Sequence, residues 1–336
     1  LKRNIKFESD LKKKIEILSL MTKRGPDHQN TKSFKITKTK NLNIFFSRLK
    51  VIDLSNSANQ PFIYDDTVLA FNGEIYNYLE IKKILVTKGY KFKTKSDTEV
   101  LLQSYIYYGK KCLDYFEGMW SFAIWDFKKN SIFIARDRFG EKPLYLLKAN
   151  SGIYFSSEIK FIKSLSKLKL DINYDKLVKN LSLGYKSLYK DDELFYKNVY
   201  ELKASEYLVI GPDKIEKKVN FWKPNIKINQ NLSENEAINE TKRLLLKSMK
   251  YQVRSDVPLA FTLSGGVDSS SICSIAAKEF NLKIKTFSII DSDERYDERD
   301  NIKKTIKDLN CEHDFYTFDL KQSMDSLSEL ENLTSY

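Results

Sequence analysis

The sequence predicts two domains of different class: an α+β layered sandwich built on antiparallel sheets, then an α/β domain built on a parallel sheet. Three observations predict it. The 336 residues are more than one hydrophobic core usually fills. Short aromatic-rich strands and helices mix without strict alternation in the first two thirds, whereas strand and helix alternate regularly afterwards, as parallel sheets require. Between the two patterns lies the polar stretch 223–232 (KPNIKINQNL), which follows Phe221-Trp222 and reads as a joint. The expected domains are therefore residues 1–222 and 233–336.

In the first domain Ile44 to Phe46, Val68 to Phe71, Met119 to Asp126, Ser131 to Ala135, Leu144 to Leu147 and Ile153 to Phe155 read as strands separated by turn residues. Helical periodicity marks Leu11 to Met21, Leu79 to Lys88 and Asp97 to Tyr108. At the start of the second domain, Ser233 with Glu236 three residues on forms a capping box. Ile238, Leu244, Leu245 and Met249 then recur at helical spacing to about Val253, so this helix is expected to bury one face. Strand Leu259 to Leu263, helix Ser270 to Phe280, strand Ile284 to Ile290, helix Arg299 to Leu309 and strand Asp314 to Phe318 complete the order.

Composition excludes several classes of function. With 42% hydrophobic and 30% charged residues the chain has the make-up of a globular protein. No run approaches the ~18 apolar residues of a membrane span. The net charge of +12 comes from 48 Lys and only nine Arg. The lysines are dispersed, without the Arg forks and interleaved aromatics of a nucleic-acid surface, so no nucleic-acid partner is expected. Cys112, Cys273 and Cys311, with His28 and His313, are too scattered for a disulfide framework or a structural zinc site, which fits a reducing cytoplasm. The chain begins at Leu1 without an apolar signal core, and it reads as a fragment of a longer protein.

Leu263-Ser264-Gly265-Gly266-Val267-Asp268-Ser269-Ser270 lies between a buried strand and a helix, where open α/β sheets bind ligands. The glycines let backbone N–H groups face an anion, the serines add hydroxyl donors, and the helix start adds its positive dipole end. Asp268 offers an oxygen ligand suited to Mg²⁺ beside phosphates. The segment lacks the Lys of a P-loop and the third Gly of a dinucleotide fingerprint. It resembles instead the pyrophosphate loop of the ATP pyrophosphatases that adenylate a carboxylate or carbonyl. The resemblance implies ATP, pyrophosphate held by Ser264, Gly265, Gly266 and Ser269, Mg²⁺ on Asp268, and contacts to the nucleoside at Leu263 and Ile289. Tyr296-Asp297-Glu298 resembles an acidic segment of some members, and as a charge run it reads as solvated loop outside the site.

Phe71-Asn72-Gly73-Glu74-Ile75-Tyr76-Asn77 carries the Asn-Gly pair of a hairpin turn, yet it leads into a helix at Asn77. A Gly beside an amide side chain can also form an oxyanion hole, the Gly73 N–H and the Asn72 amide converging on one oxygen. Around it stand, in order, Arg24-Gly25-Pro26-Asp27, Arg48-Leu49 to Asp53, Gln60-Pro61, Ser96-Asp97, Gly118 to Ala123, Arg136 to Gly140 and Ser156-Ser157-Glu158. This ordered set resembles the class II glutamine amidotransferase domain of the asparagine synthetase family, an Ntn-type fold. With the loop at Ser264, the resemblance covers nearly the whole chain.

The resemblance implies that Arg48 grips the glutamine α-carboxylate, that Glu74 and Asp97 hold its ammonium, that Ile52 lines the site, and that Asn72 and Gly73 form the oxyanion hole. A zwitterion does need one cationic fork and at least one carboxylate. Arg24 with Asp27, and Arg136 to Arg138, read as structural ion pairs. The nucleophile of that family is a cysteine exposed as residue one, which this chain lacks. Cys112 and Cys273 read as core thiols, Cys311 lies in the other half, and the missing piece is expected to be about one strand plus a turn, on the order of ten residues. The chain alone is expected to be inactive. The full reaction implied is glutamine-dependent asparagine synthesis in the cytoplasm, with glutamine, aspartate and ATP as small-molecule partners, no membrane, and a homodimer as one possible assembly. The alternatives are a related amidotransferase acting on a surface-sugar or antibiotic precursor, and a non-catalytic paralogue that serves as a binding module.

Overall fold

The computed structural model describes residues 2–3, 11–184, 191–211, 215–229, 231–290, 295 and 297–317. The chain divides into two compact units, Leu1–Asn225 and Ile226–Ser335. In the first unit the elements run β1 (Lys2–Arg3), α1 (Leu11–Met21), β2 (His28–Lys35), β3 (Lys40–Arg48), β4 (Phe62–Tyr64), β5 (Thr67–Ile75), α2 (Tyr78–Thr87), α3 (Asp97–Tyr108) and β6 (Gly118–Asp126). They continue with β7 (Ser131–Arg136), β8 (Tyr145–Ala149), β9 (Gly152–Ser156), α4 (Ile159–Ser166), α5 (Tyr174–Leu183), β10 (Val199–Glu201), β11 (Glu206–Ile210) and β12 (Ile215–Asn220). The second unit holds α6 (Glu234–Gln252), β13 (Ala260–Thr262), α7 (Val267–Ser274), β14 (Lys285–Ile290), α8 (Arg299–Leu309) and β15 (Glu312–Thr317).

Strand alternation builds the layers of the first unit. The six-stranded antiparallel sheet has the order β12-β11-β7-β6-β5-β4. Leu69, Phe71, Trp120, Phe122, Phe133, Tyr207 and Val209 face one way, into a core shared with Ile81 and Leu85 of α2 and Val100, Leu101 and Tyr105 of α3. The intervening residues Val68, Ala123, Trp125, Ile132, Ile134, Leu208 and Ile210 face the other way and meet Leu42 and Ile44 of β3 and Leu146 of β8. Those partners belong to two three-stranded antiparallel sheets, β1-β3-β2 and β10-β8-β9. On their far side Ile159 and Ile162 of α4 pack on Leu147 and Val199, and α1 contacts both β3 and α4. Helix, sheet, sheet, helix is the expected α+β sandwich.

Strand β5 runs further than the sequence reading has it. β5 does not stop at Phe71 but runs on through Asn72, Gly73 and Glu74 to Ile75, paired in register with Ser121, Trp120, Met119 and Gly118 of β6. Gly73 makes this close pairing possible: its φ is +140°, and a Cβ there would lie 2.1 Å from the Met119 carbonyl oxygen.

In the second unit β13, β14 and β15 form a parallel sheet in the order β13-β14-β15. Its core joins Leu263, Cys273, Ala276, Ile284, Ile290 and Ile302. The capping box forms as expected, with Ser233 and Glu236 bonded reciprocally at the start of α6. The expected buried face does not form: Ile238, Leu244 and Leu245 are exposed, and Met249 is the buried residue of α6. Of the described elements, the short helical turn at 275–279 packs against α6. Cys112 and Cys273 are buried core thiols and Cys311 is half-buried. No helix among the described residues is long and apolar enough to cross a membrane.

Candidate active sites

Because Leu69, Phe71 and Ile75 point toward the helix-side core, the period of two sends Asn72 and Glu74 to the opposite face of β5. A cavity of 580 Å³ opens there between the two sheet layers. Arg48, Ile52, Asn72, Gly73, Glu74 and Asp97 all line it, so the six residues drawn from distant parts of the sequence meet in one place.

Asp97 is the first residue of α3, whose start is capped by the Ser96 hydroxyl. Its carboxylate accepts hydrogen bonds from the Ile75 N–H (3.0 Å) and the Ser96 hydroxyl (3.2 Å), and the residue is 4% exposed. Burial pushes its acid up to about 7; the Glu74 charge adds to the shift and the Ile75 hydrogen bond opposes it. Burial also raises Glu74, against the opposing charge of Lys142. Two carboxylates that ionise reluctantly side by side are relieved by an incoming cation. Binding of the glutamine that the sequence resemblance implies should therefore follow the ionisation of Asp97. Isothermal titration from pH 5 to 8 is expected to show affinity falling about tenfold per pH unit below 7 and level above it. A flat profile through pH 6 to 7 would remove Asp97 from the ammonium site.

Arg48 shows a role that its motif did not reveal. Its buried guanidinium donates from one terminal nitrogen to the Ser55 carbonyl (3.0 Å) and Asn59 Oδ1 (2.9 Å), and from the other to the carbonyls of Ile52 (3.1 Å) and Asp53 (2.5 Å). It ties down the loop that carries Ile52, and among the described residues only its Nε–H is left for a ligand. The Asn72 amide donates from Nδ2 to the Ser157 hydroxyl at 3.2 Å.

The other motif residues make contacts within the protein, but with other partners than the expected ion pairs of Arg24 with Asp27 and within Arg136 to Arg138. Arg24 pairs with Glu158 (2.7 Å), and Asp27 accepts the Lys50 N–H (2.7 Å). Arg136 pairs with Glu201 (2.8 Å) and also donates to the carbonyls of Leu202 and Gly140. Arg138 donates to the Asp114 carbonyl. The Asp137 carboxylate accepts from the N–H groups of Trp120, Phe139, Glu141 and Lys142, fixing the turn that brings Lys142 to the cavity.

In the second unit the loop between β13 and α7 is braced from within. Ser269 Oγ accepts from the Ser264 N–H (3.1 Å) and the Gly266 N–H donates to Ser264 Oγ (3.2 Å). The Gly265 N–H donates to a Glu298 carboxylate oxygen at 3.0 Å. This corrects the reading of the acidic segment as solvated loop: Glu298, at the start of α8, places an anion on the backbone amide expected to meet pyrophosphate. Asp297 is taken by Arg299 (2.6 Å), and Tyr296 lies outside the described residues. Leu263 is buried, with its N–H on the Phe287 carbonyl and its own carbonyl accepting the Ser288 hydroxyl. Ile289 is exposed near the end of β14, at the same sheet edge as the loop because the strands are parallel.

The loop suits a phosphate group, since an amide there already holds a carboxylate and a Cβ on Gly265 would lie 2.7 Å from the Glu298 Cβ. Asp268, in the first turn of α7, is exposed and makes no hydrogen bond or ion pair among the described residues. One free carboxylate suits Mg²⁺, which keeps several waters and shares phosphate oxygens. No group of three or more His, Cys, Asp or Glu side chains arranged for a metal occurs among the described residues.

Comparison with known proteins gives two family matches. A glutamine amidotransferase domain model matches residues 4–222 and an asparagine synthase model matches residues 240–334. The chain is 37% identical to asparagine synthetase [glutamine-hydrolyzing] 1 of Bacillus subtilis over 80% of this chain and 42% of that protein. It is 34% identical to a putative asparagine synthetase [glutamine-hydrolyzing] 2 of Methanocaldococcus jannaschii, over 91% of this chain and 62% of that protein. The chain thus spans about half the length of the curated relatives it matches. Among solved structures, the glutamine phosphoribosylpyrophosphate amidotransferase of B. subtilis aligns with a TM-score of 0.45 and 14% identity, over 90% of this chain and 77% of that one.

Proposed function

Since the chain belongs to the glutamine amidotransferase family and continues into an asparagine synthase domain, we propose that it serves in an ATP-dependent amide ligase that moves nitrogen from glutamine to aspartate. The observation that carries the proposal is the meeting of Asn72, Gly73, Glu74, Asp97 and Arg48 in one cavity, in a chain that also holds the Ser264 to Ser269 loop. In the first unit Glu74 and Asp97 hold the glutamine ammonium. Arg48 orients the α-carboxylate through Nε–H and through the loop it anchors. A cysteine thiolate upstream of Leu1 attacks the side-chain carboxamide, and the developing oxyanion takes hydrogen bonds from the Gly73 N–H and the Asn72 amide. Collapse of that adduct expels ammonia; water then cleaves the thioester to glutamate.

In the second unit the β-carboxylate of aspartate attacks the α-phosphorus of ATP, and pyrophosphate leaves into the Ser264, Gly265, Gly266 and Ser269 loop as Glu298 gives up the Gly265 N–H. Ammonia then displaces AMP to form asparagine. Mg²⁺ on Asp268 would offset the phosphate charge there. The test compares glutamine with ammonium chloride as nitrogen source in the full-length protein. Arg48→Ala is expected to abolish glutamine-dependent asparagine formation and leave the ammonia-dependent rate, because it frees the 52–59 loop without touching the phosphate loop. Equal loss of both rates would count against the assignment.

A further inference from the structure

Of the two oxyanion donors, the Gly73 N–H is fixed by the backbone of a paired strand, whereas the Asn72 amide must be fixed by something else. Its Nδ2 reaches across the cavity to Ser157 Oγ, a residue 85 positions away at the turn between β9 and α4. That turn is itself held. Glu158, beside Ser157, is clamped between Arg24 (2.7 Å) and Lys160 (2.8 Å), and its N–H donates to Ser156 Oγ (3.3 Å). An amide nitrogen carries two hydrogens in one plane, so committing the first to a pinned hydroxyl sets the direction of the second. Among the described residues the second N–H has no partner, and Asn72 lines the cavity.

We propose that Ser157 is a positioning residue for glutamine hydrolysis: it holds the Asn72 side chain so that the remaining N–H faces the oxyanion. This rests on the glutamine reading of the first unit. A donor aimed before the reaction costs no reorganisation when charge develops, so its loss of aim should appear in turnover rather than in substrate binding.

The test uses the full-length protein and follows glutamate release, with ammonia-dependent asparagine formation as a check on the fold. Ser157→Ala is expected to lower kcat on the order of tenfold while KM stays within about twofold, since the donor is loosened but not removed. Ser157→Thr keeps the hydroxyl and should recover most of the rate. Unchanged kcat, a rise in KM alone, failure of the Thr variant to recover, or parallel loss of the ammonia-dependent rate would each overturn the role of Ser157. If the unmodified protein releases no glutamate, the glutamine reading fails, and this inference with it.

Discussion

Gly73→Ala is expected to lower kcat for glutamine hydrolysis by at least on the order of a hundredfold, the scale of losing an oxyanion donor. At φ +140° an L side chain is strained, and a methyl group there would lie 2.1 Å from the Met119 carbonyl oxygen and 2.6 Å from the Trp120 Cα. Both obstacles are backbone atoms of β6, so no rotamer change relieves the clash and β5 must move away. That movement displaces the Gly73 N–H and the Asn72 side chain together. A stability loss of about 1–3 kcal/mol should accompany it, visible as a lower melting temperature. Glutamate release should therefore be measured well below the melt, with the ammonia-dependent rate as the internal standard. Wild-type turnover in a folded Gly73→Ala protein would remove the oxyanion role of this strand.

The second large effect is expected at the phosphate loop, where charge and backbone can be separated. Gly265→Val puts a branched side chain where the amide must meet an anion; the Cβ position already lies 2.7 Å from Glu298. Asp268→Asn keeps the size of the side chain but removes the charge that attracts Mg²⁺, and Lewis-acid assistance is worth several kcal/mol. ATP–pyrophosphate exchange in the full-length protein, followed over a Mg²⁺ titration, should fall by more than about a hundredfold in both. High Mg²⁺ should partly restore Asp268→Asn and leave Gly265→Val inactive. Glutamine hydrolysis should persist in both variants. Wild-type exchange in both would reduce the loop to an ordinary strand-to-helix turn.

What the sequence showed depended on how far apart the interacting residues are. Helix α3 was legible because its apolar residues recur locally, and the Ser233 and Glu236 box lies within four residues. The continuation of β5 was not legible. Asn72-Gly73-Glu74 has turn-like composition, and what holds it extended is pairing with Met119 to Ser121, about 45 positions on. Glu298 was misplaced for the same reason: 33 residues separate it from Gly265, although its position just after the second strand was a usable signal. Among candidate site residues the pattern named six that line one cavity but not the contacts that hold them there. The saturation of Arg48 by loop carbonyls, and the tie from Asn72 to Ser157, are contacts that no spacing in the chain announces.

The burial of the cysteines has a practical consequence for covalent chemistry. Cys112 and Cys273 are 0% exposed, and burial raises both thiols, Cys273 to about 11, far from the thiolate that electrophiles require. An electrophilic glutamine analogue offered to the folded full-length protein at neutral pH thus meets little competition from these two core thiols. Label found in a peptide upstream of Leu1, where the proposed nucleophile lies, would count the proposed glutamine sites molecule by molecule without a turnover assay, and no label there would count against that nucleophile.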